Sequence, residues 1–152
     1  MKLFYRPPDI DSVQVELLGS YQMQELGASG AGLHYIAVDS SGNYAYVTNS
    51  LKGLIVLDIS DPANPDSIGV YADMGEINMV LTSQEYAYAV DFSGALRILD
   101  ISNPHSLVIV GSYETSDYAD GWRPYSLDVQ GDYAYLGCNK GLMAIDISNP
   151  TQ

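Results

Sequence analysis

Three aspartates recur at one place in a repeated motif, and carboxylates in such a pattern are candidates for calcium binding or acid–base chemistry. Asp58, Asp100 and Asp146 each follow a short apolar run and precede Ile-Ser, then Asp or Asn, then Pro. An Asp in such a turn accepts hydrogen bonds from backbone N–H groups. Because a catalytic centre needs one such residue and not three, we interpret them as structural residues of a repeat. Calcium binding is the alternative, and no other cofactor is expected.

A second candidate site lies in an insertion, residues 116–124, which contains the only tryptophan of the chain. Trp, Tyr and Arg are enriched at binding hot spots, and an aromatic ring flanked by carboxylates suits a sugar ring or a cation. A histidine at the end of an earlier insertion, residues 22–34, joins this set. The predicted ligand-binding residues are Trp122, Arg123, Tyr118, Asp117, Asp120 and His34. The alternative is that the tryptophan packs under its own loop or plugs the interior of the fold.

An internal repeat supplies the elements that position these residues. The motif Tyr-Ala-Tyr begins at Tyr44, Tyr86 and Tyr133, at intervals of about 42 and 47 residues. Each copy is followed by one of the three Asp-Ile-Ser motifs, and Gly-x-Tyr recurs as a third motif. Three motifs in the same order three times indicate a repeat architecture. The repeated tyrosines are therefore interpreted as packing residues.

Each repeat reads as four short strands bounded by Gly, Pro, Asn and Asp. Four strands in about 42 residues are typical of a β-propeller blade. The predicted fold is all-β, with about three four-stranded antiparallel blades that form a half-propeller or part of a larger ring. We label the strands of a blade A to D from inside to outside. The chain order is then D-A-B-C three times over residues 13–152, beginning with a D strand near Val15–Tyr21, after an N-terminal extension, residues 1–12.

The combined pattern GSY…YAY…GLxILDISNP resembles the LVIVD repeat, a propeller-forming repeat of bacterial and archaeal proteins, over roughly residues 15–150. The resemblance implies a propeller fold and a binding or scaffolding role, and it brings no catalytic motif. It also implies a secreted or surface location. Residues 1–10 do not read as a signal peptide, so a cytoplasmic location is the alternative.

Three blades do not close a ring, because propellers typically have four to eight. Three outcomes follow. Two chains could form a six-bladed ring about a twofold axis, the chain could be part of a longer propeller, or it could stand open with its edges covered by residues 1–12 or by another protein.

Charge and composition exclude several function classes. The formal net charge is −13, from 6 Lys and Arg against 19 Asp and Glu, so nucleic-acid phosphates would be repelled. No apolar run reaches the ~18 residues that a membrane helix needs, so no membrane insertion is expected. Cys138 is the only cysteine, which excludes an intrachain disulfide.

The sequence therefore predicts a non-catalytic binding or surface scaffold module whose ligand it does not identify. One alternative is a hydrolase- or lyase-like propeller enzyme, as a fragment or a dimer, with a carboxylate-lined channel mouth (Asp91, Asp117 and Asp120) that could hold a metal. The other is a lectin-like carbohydrate binder, which predicts equivalent pockets between blades.

Overall fold

Eleven β-strands make up most of the described part of the chain. The computed structural model describes residues 16–21, 33–49, 52–72, 76–91, 94–114 and 121–150. The strands are β1 (Leu33–Val38), β2 (Tyr44–Asn49), β3 (Gly53–Asp58), β4 (Asp66–Tyr71), β5 (Ile77–Ser83), β6 (Tyr86–Asp91), β7 (Leu96–Asp100), β8 (Val108–Tyr113), β9 (Pro124–Gln130), β10 (Tyr133–Cys138) and β11 (Gly141–Asp146). The described ranges contain no α-helix.

The three sheets follow the three repeats. β1–β4 form blade I, β5–β8 form blade II, and β9–β11 form blade III, which has three strands among the described residues. All pairs are antiparallel and join consecutive strands. Each blade is therefore a meander whose strands run A, B, C and D in chain order. The predicted all-β fold of three antiparallel blades is confirmed.

Each blade folds back tightly between strands A and B. Gly42 and Gly131 have φ angles of +75° and +58° in these turns, a left-handed conformation that glycine adopts without a Cβ clash. In blade I the Asp39 carboxylate accepts hydrogen bonds from the backbone N–H groups of Asn43 and Tyr44, at 3.1 and 3.0 Å. These bonds fix the point where strand B and its Tyr-Ala-Tyr motif begin.

The A–B and C–D turns of a blade meet at one end, which we call the turn end. In every blade the isoleucine of Asp-Ile-Ser donates its N–H to a carbonyl of the A–B turn. The pairs are Ile59 with Asn43, Ile101 with Glu85 and Ile147 with Asp132, at 2.8, 2.9 and 2.8 Å. We call the opposite end, with the D–A and B–C connections, the loop end.

The hydrophobic core lies between blades. One face of each sheet, the outgoing face, packs against the next blade, and the other face, the incoming face, receives the preceding one. The first cluster joins Tyr46, Leu54 and Val56 of blade I to Val80, Ala87 and Leu99 of blade II. The second joins Tyr88, Leu96 and Ile98 of blade II to Ala134, Leu136, Met143 and Ile145 of blade III. The incoming face of blade I forms a third cluster, of Ala45, Val47, Ile55 and Leu57.

The Gly-x-Tyr motif fastens each D strand to the next blade. A Cβ at Gly111 would collide with the carbonyl oxygen of Pro150, in the C–D turn of blade III. The Tyr71 hydroxyl of blade I accepts a hydrogen bond from the N–H of Leu107 in blade II, at 3.1 Å. The glycine allows the close approach and the tyrosine spans the gap between blades.

Residues 16–21 form no strand, whereas the sequence predicts a D strand near Val15–Tyr21. They still contact blade I as a D strand contacts the blade after it, since a Cβ at Gly19 would collide with the carbonyl oxygens of Pro62 and Ala63. A strand needs a hydrogen-bonding neighbour, and no C strand lies beside this segment among the described residues. The predicted extension, residues 1–12, lies outside them.

Candidate functional site

The end of the Trp122 loop is fastened to the B–C turn of blade III. The N–H of Arg123 donates to the side-chain oxygen of Asn139, at 2.9 Å. The Asn139 backbone N–H donates to the carbonyl of Arg123 at 3.0 Å, and its side-chain amide donates to the carbonyl of Gly121 at 3.1 Å. One asparagine therefore fixes the segment that carries Trp122 at the loop end.

Trp122 is half-buried and borders a groove along β11. Its ring packs against the cluster between blades II and III. A Cβ at Gly141, which has a φ of +143°, would lie 3.7 Å from the ring. The groove has a volume of about 510 Å³ and is lined by Tyr113, Trp122 and the β11 residues 142–146. Both proposed roles of the tryptophan, packing and groove lining, are thus compatible with its position.

The groove occupies the place of a fourth strand in blade III. In blades I and II, strand C pairs with a D strand, β4 and β8 respectively. Among the described strands, β11 pairs only with β10. One edge of β11 therefore offers backbone N–H and C=O groups to a further strand.

The outgoing face of blade III, which we call the open face, consists of Tyr133, Tyr135, Leu142 and Ala144. Leu142 is 67% exposed, whereas its repeat equivalents Leu54 and Leu96 are 0% exposed. The rings of Tyr133 and Tyr135 lie side by side, with centroids 6.4 Å apart. The equivalent residues of blades I and II form the hydrophobic clusters between blades. The open face therefore has the apolar composition of a core but is exposed.

The tyrosines at the second position of Tyr-Ala-Tyr show the same contrast. Burial raises the pKa of Tyr46 to about 12 and also raises the pKa of Tyr88. Both rings lie inside inter-blade clusters, while Tyr135 is half-exposed on the open face. The repeat thus builds two closed interfaces and leaves a third uncovered by described residues.

The loop end also holds buried polar groups, of which sequence reasoning missed Thr48, Asn49 and Arg97. Thr48 and Asn49 are fully buried at the end of β2. In blade II, Asp91 accepts hydrogen bonds from the N–H of Ala95 at 3.0 Å and from the Arg97 guanidinium at 3.3 Å. Arg97 replaces an apolar residue of the other two C strands, and that break in the pattern is the signal that could have found it.

The three repeated aspartates accept bonds in the C–D turns. Asp58, Asp100 and Asp146 each accept a bond from the backbone N–H two residues later, all at 2.9 Å. Asp58 also accepts the hydroxyl of Ser60, at 2.6 Å. Side-chain and backbone hydrogen bonds from the serine hold the pKa of all three carboxyls below the ordinary value. They are therefore stabilised in the ionised form.

The predicted ligand-binding residues are placed only in part. Trp122 and Arg123 lie together at the loop end, and His34 lies on β1. Asp117, Tyr118 and Asp120 fall outside the described residues. Asp91, the remaining carboxylate of the predicted enzyme site, bonds to Arg97. Within the described ranges no group of three or more His, Cys, Asp or Glu side chains could hold a metal ion. The pKa of the Cys138 thiol is raised by burial.

Acid is expected to destabilise the protein through the turn aspartates. Their folded-state pKa lies below the ordinary 3.8, so the unfolded chain binds more protons as pH falls. The stabilisation is therefore complete well above 3.8 and is lost as pH falls through the folded-state pKa. Asp100→Asn keeps the acceptor oxygen and cannot titrate. Its melting temperature should fall less steeply with pH than that of the wild type; parallel curves would contradict this interpretation.

The blades and their repeated interfaces define the chain as a β-propeller module. It is similar to the β-propeller domain of Cps50 (Swd1) from Myceliophteria thermophila, with a TM-score of 0.63 and 10% identity over 85% of this chain and 46% of that one. It is similar to Hsv2 from Kluyvelomyces marxianus, with a TM-score of 0.54 and 12% identity over 81% and 35%. It is also similar to the computationally designed Ika4 protein, with a TM-score of 0.58 and 13% identity over 86% and 77%. The chain thus spans less than half of the two natural propeller chains.

The chain belongs to the LVIVD repeat family. The family's repeat model matches residues 35–73, 75–115 and 125–152, together more than half of the chain. The family resemblance of the sequence is therefore confirmed, and the matched segments coincide with blades I, II and III. No functionally curated protein matches the chain.

No helix among the described residues is long and apolar enough to cross a membrane.

Proposed function

We propose that the chain is a non-catalytic binding or scaffold module of the β-propeller type, and that it binds protein through the open face of blade III. The observation that carries this proposal is Leu142, which is 67% exposed where Leu54 and Leu96 are 0% exposed. An apolar face beside an unpaired strand edge is a common recognition surface for another strand. The partner that fits it is an extended segment of protein.

The groove along β11 supports a strand as the ligand. It is lined by residues 142–146 of β11 together with Tyr113 and Trp122. In blade II the equivalent C strand bonds to β8 with Leu96 opposite Tyr113 and Asp100 opposite Val108. A bound strand would meet the same backbone pattern on β11 and would gain main-chain hydrogen bonds together with cover for Leu142.

The repeated carboxylates support a non-catalytic role. A general acid at neutral pH needs a raised pKa, whereas hydrogen bonds lower the pKa of Asp58, Asp100 and Asp146. The hydrogen bonds that these three carboxylates accept stabilise three equivalent C–D turns. A secreted or surface location, which the family resemblance implies, completes the proposal.

Binding is tested with a synthetic peptide of residues 104–114, which contains the β8 sequence. Because Trp122 is the only tryptophan and lines the groove, its fluorescence reports on occupancy. We expect a saturable change with this peptide and none with a scrambled one. Leu142→Asp should abolish the response, and Val70→Asp, which changes an exposed residue of blade I, should leave it intact. An equal response to both peptides, or none to either, would refute strand binding.

A carbohydrate binder is the second candidate, because equivalent pockets do occur between blades at the turn end. One of about 370 Å³ is lined by Tyr44, Glu85, Ile101, Ser102 and Pro104, among others. The other, of about 230 Å³, is lined by the repeat equivalents Tyr86, Asp132, Ile147, Ser148 and Pro150. Tyrosine beside hydroxyl and carboxylate groups suits a sugar. The repeat alone also generates such pairs of pockets, so the open face of blade III remains the stronger observation.

A further inference from the structure

The two pockets at the turn end share one residue, Gln84, in the A–B turn of blade II. It lines the pocket between blades I and II and also the pocket between blades II and III. Each pocket is lined by the A–B turns of two neighbouring blades and by the C–D turn of the second of them. The pockets are therefore neighbours on one surface, and a long ligand can enter both.

Gln84 has a backbone conformation that the turn itself does not require of a glutamine. Its φ is +56°, and among the described residues it is the one non-glycine residue with a positive φ. Blade III makes the same two-residue turn with Gly131, whose φ is +58°. A residue with a Cβ is strained in this region, whereas glycine adopts it freely. A strained side chain placed between two pockets points to a role in binding.

Each pocket also presents one carboxylate at the same position of the repeat. Glu85 follows Gln84, and Asp132 follows Gly131. The backbone carbonyl of each acidic residue is held by the C–D turn of its own blade. No hydrogen bond or ion pair with another described residue engages either carboxylate. Both carboxylates are thus available to a ligand.

The charge distribution favours a cationic ligand at these pockets. No Lys, Arg or His side chain lines either of them. The Lys and Arg residues of the described ranges belong instead to the B–C turns, to the D–A connection of blade III or to the ion pair with Asp91, and they are Lys52, Arg97, Arg123 and Lys140. The net charge of the chain is −13. Such a field attracts positive groups and repels anions.

The other lining groups suit a ligand that carries hydroxyl groups as well as positive charge. Tyr44 and Tyr86 are half-buried at equivalent positions, where they pack against the inter-blade clusters and line one pocket each. A tyrosine ring is a fixed apolar wall whose face attracts an ammonium group. The amide of Gln84 both donates and accepts hydrogen bonds. These groups together fit a sugar that bears an amine.

The pocket between blades I and II has an additional polar wall. Its volume is about 370 Å³, against about 230 Å³ for the pocket between blades II and III. Residues 39–43 separate β1 from β2, whereas only Gln84 and Glu85 separate β5 from β6. The longer turn of blade I brings Ser40, Ser41 and Asn43 to the pocket. Their hydroxyl and amide groups add hydrogen-bonding partners for sugar hydroxyls.

We infer that the turn end binds a linear oligosaccharide of amino sugars across both pockets, an inference that rests on the carbohydrate-binding candidate of the proposed function. One ammonium group of the ligand pairs with Glu85 and another with Asp132. The sugar rings lie against Tyr44 and Tyr86, and the amide of Gln84 bonds to hydroxyl groups between them. Because the second pocket is filled intramolecularly once the first is occupied, one chain binds more tightly than separate sugars.

The test is calorimetric titration at low salt with β-1,4-linked glucosamine oligomers of two to six units. Affinity should rise by more than about tenfold once the oligomer is long enough to fill both pockets. The fully N-acetylated oligomers, which lack the charge, should bind at least about tenfold more weakly. Spermine, a linear polyamine without hydroxyl groups, is the second control. Binding of spermine as tight as that of the longest glucosamine oligomer would show that charge alone is recognised, and it would overturn the inference.

Gln84→Gly separates binding from folding. It should weaken the longest glucosamine oligomer by about tenfold. The melting temperature should stay the same or rise, because glycine relieves the strain at a positive φ. A variant that keeps full affinity would contradict the role of the glutamine.

Matched carboxylate variants test the pockets themselves. Glu85→Gln and Asp132→Asn should each weaken binding by about tenfold. Asp66→Asn removes the same charge from an exposed residue at the turn end that lines neither pocket, and it should leave the affinity unchanged. Equal losses for all three variants would mean that the oligomer is attracted by the net charge alone, which refutes a site at the pockets.

The outcomes separate this inference from the function on which it rests. If N-acetylated and free oligomers bind equally well and both depend on Gln84, the carbohydrate-binding candidate stands and the preference for amino sugars falls. If no oligomer binds, both fall. Strand binding at the open face of blade III is decided independently, by the fluorescence of Trp122.

Discussion

Replacing Leu96 by alanine is expected to lower the free energy of unfolding by about 2–5 kcal/mol, the usual range for removing a buried leucine side chain. Leu96 is 0% exposed in the cluster that joins blades II and III. Its packing partners belong to both blades, so the cavity cannot close by the movement of one strand. The loss should be measured by urea denaturation followed by circular dichroism, with the slope of the transition checked for two-state behaviour.

Leu142→Ala is the matched control for Leu96→Ala. Both leucines occupy the same position of strand C, but Leu142 is 67% exposed on the open face. Leu142→Ala should change the unfolding free energy by less than about 1 kcal/mol. Equal losses for the two variants would mean that Leu142 is covered within the single chain, and the open face would not exist.

The sequence predicts the fold because the repeat fixes strand positions three times independently. Tyr-Ala-Tyr marks strand B, Asp-Ile-Ser marks the end of strand C, and Gly-x-Tyr marks strand D. The structure places these motifs at β2, β6 and β10, at the ends of β3, β7 and β11, and at the ends of β4 and β8. A single copy of any motif would have been ambiguous between a strand and a short buried helix.

The sequence does not predict which apolar face lacks a partner. Leu54, Leu96 and Leu142 occupy equivalent positions, and their neighbours along the chain do not indicate which of the three is exposed. The exposure of each leucine depends on whether another blade packs against its face. This packing belongs to the tertiary structure and cannot be deduced from the local sequence. The same limit applies to residues 16–21. Whether this segment forms a strand depends on a neighbouring strand to which it can hydrogen-bond, and the local sequence does not show whether such a strand is present.

The candidate site was predicted by residue type at Trp122 and Arg123, but its anchor was not. Asn139, which fixes the Trp122 segment, follows β10 and has no special feature in the sequence. Its role comes from the loop end, where the D–A and B–C connections of blade III meet. Propeller topology predicts that these connections share an end, but it does not predict which side chain joins them.

Arg97 is the clearest departure from the repeat, and it pairs with Asp91 at the loop end. Their side chains are 26% and 10% exposed, and their closest approach is 3.3 Å. Among the buried side-chain N and O atoms of the described residues, Arg97 Nε is the one without a hydrogen-bond partner. The pair is thus partly desolvated and not fully satisfied, a state in which two charges contribute little net stability but are costly to separate.

Asp91→Ala is therefore expected to destabilise the protein by about 2–4 kcal/mol, because it leaves the Arg97 guanidinium half-buried without its carboxylate and removes the acceptor of the Ala95 N–H. Arg97→Met should cost less, since the Asp91 carboxylate keeps the Ala95 bond and blade III carries Met143 at the equivalent position. The double variant Asp91→Asn with Arg97→Met should approach wild-type stability. A double-mutant cycle on urea unfolding, made of Asp91→Asn, Arg97→Met and the variant with both, measures the coupling; additive losses would show that the two side chains act independently and that the arginine is held by other contacts.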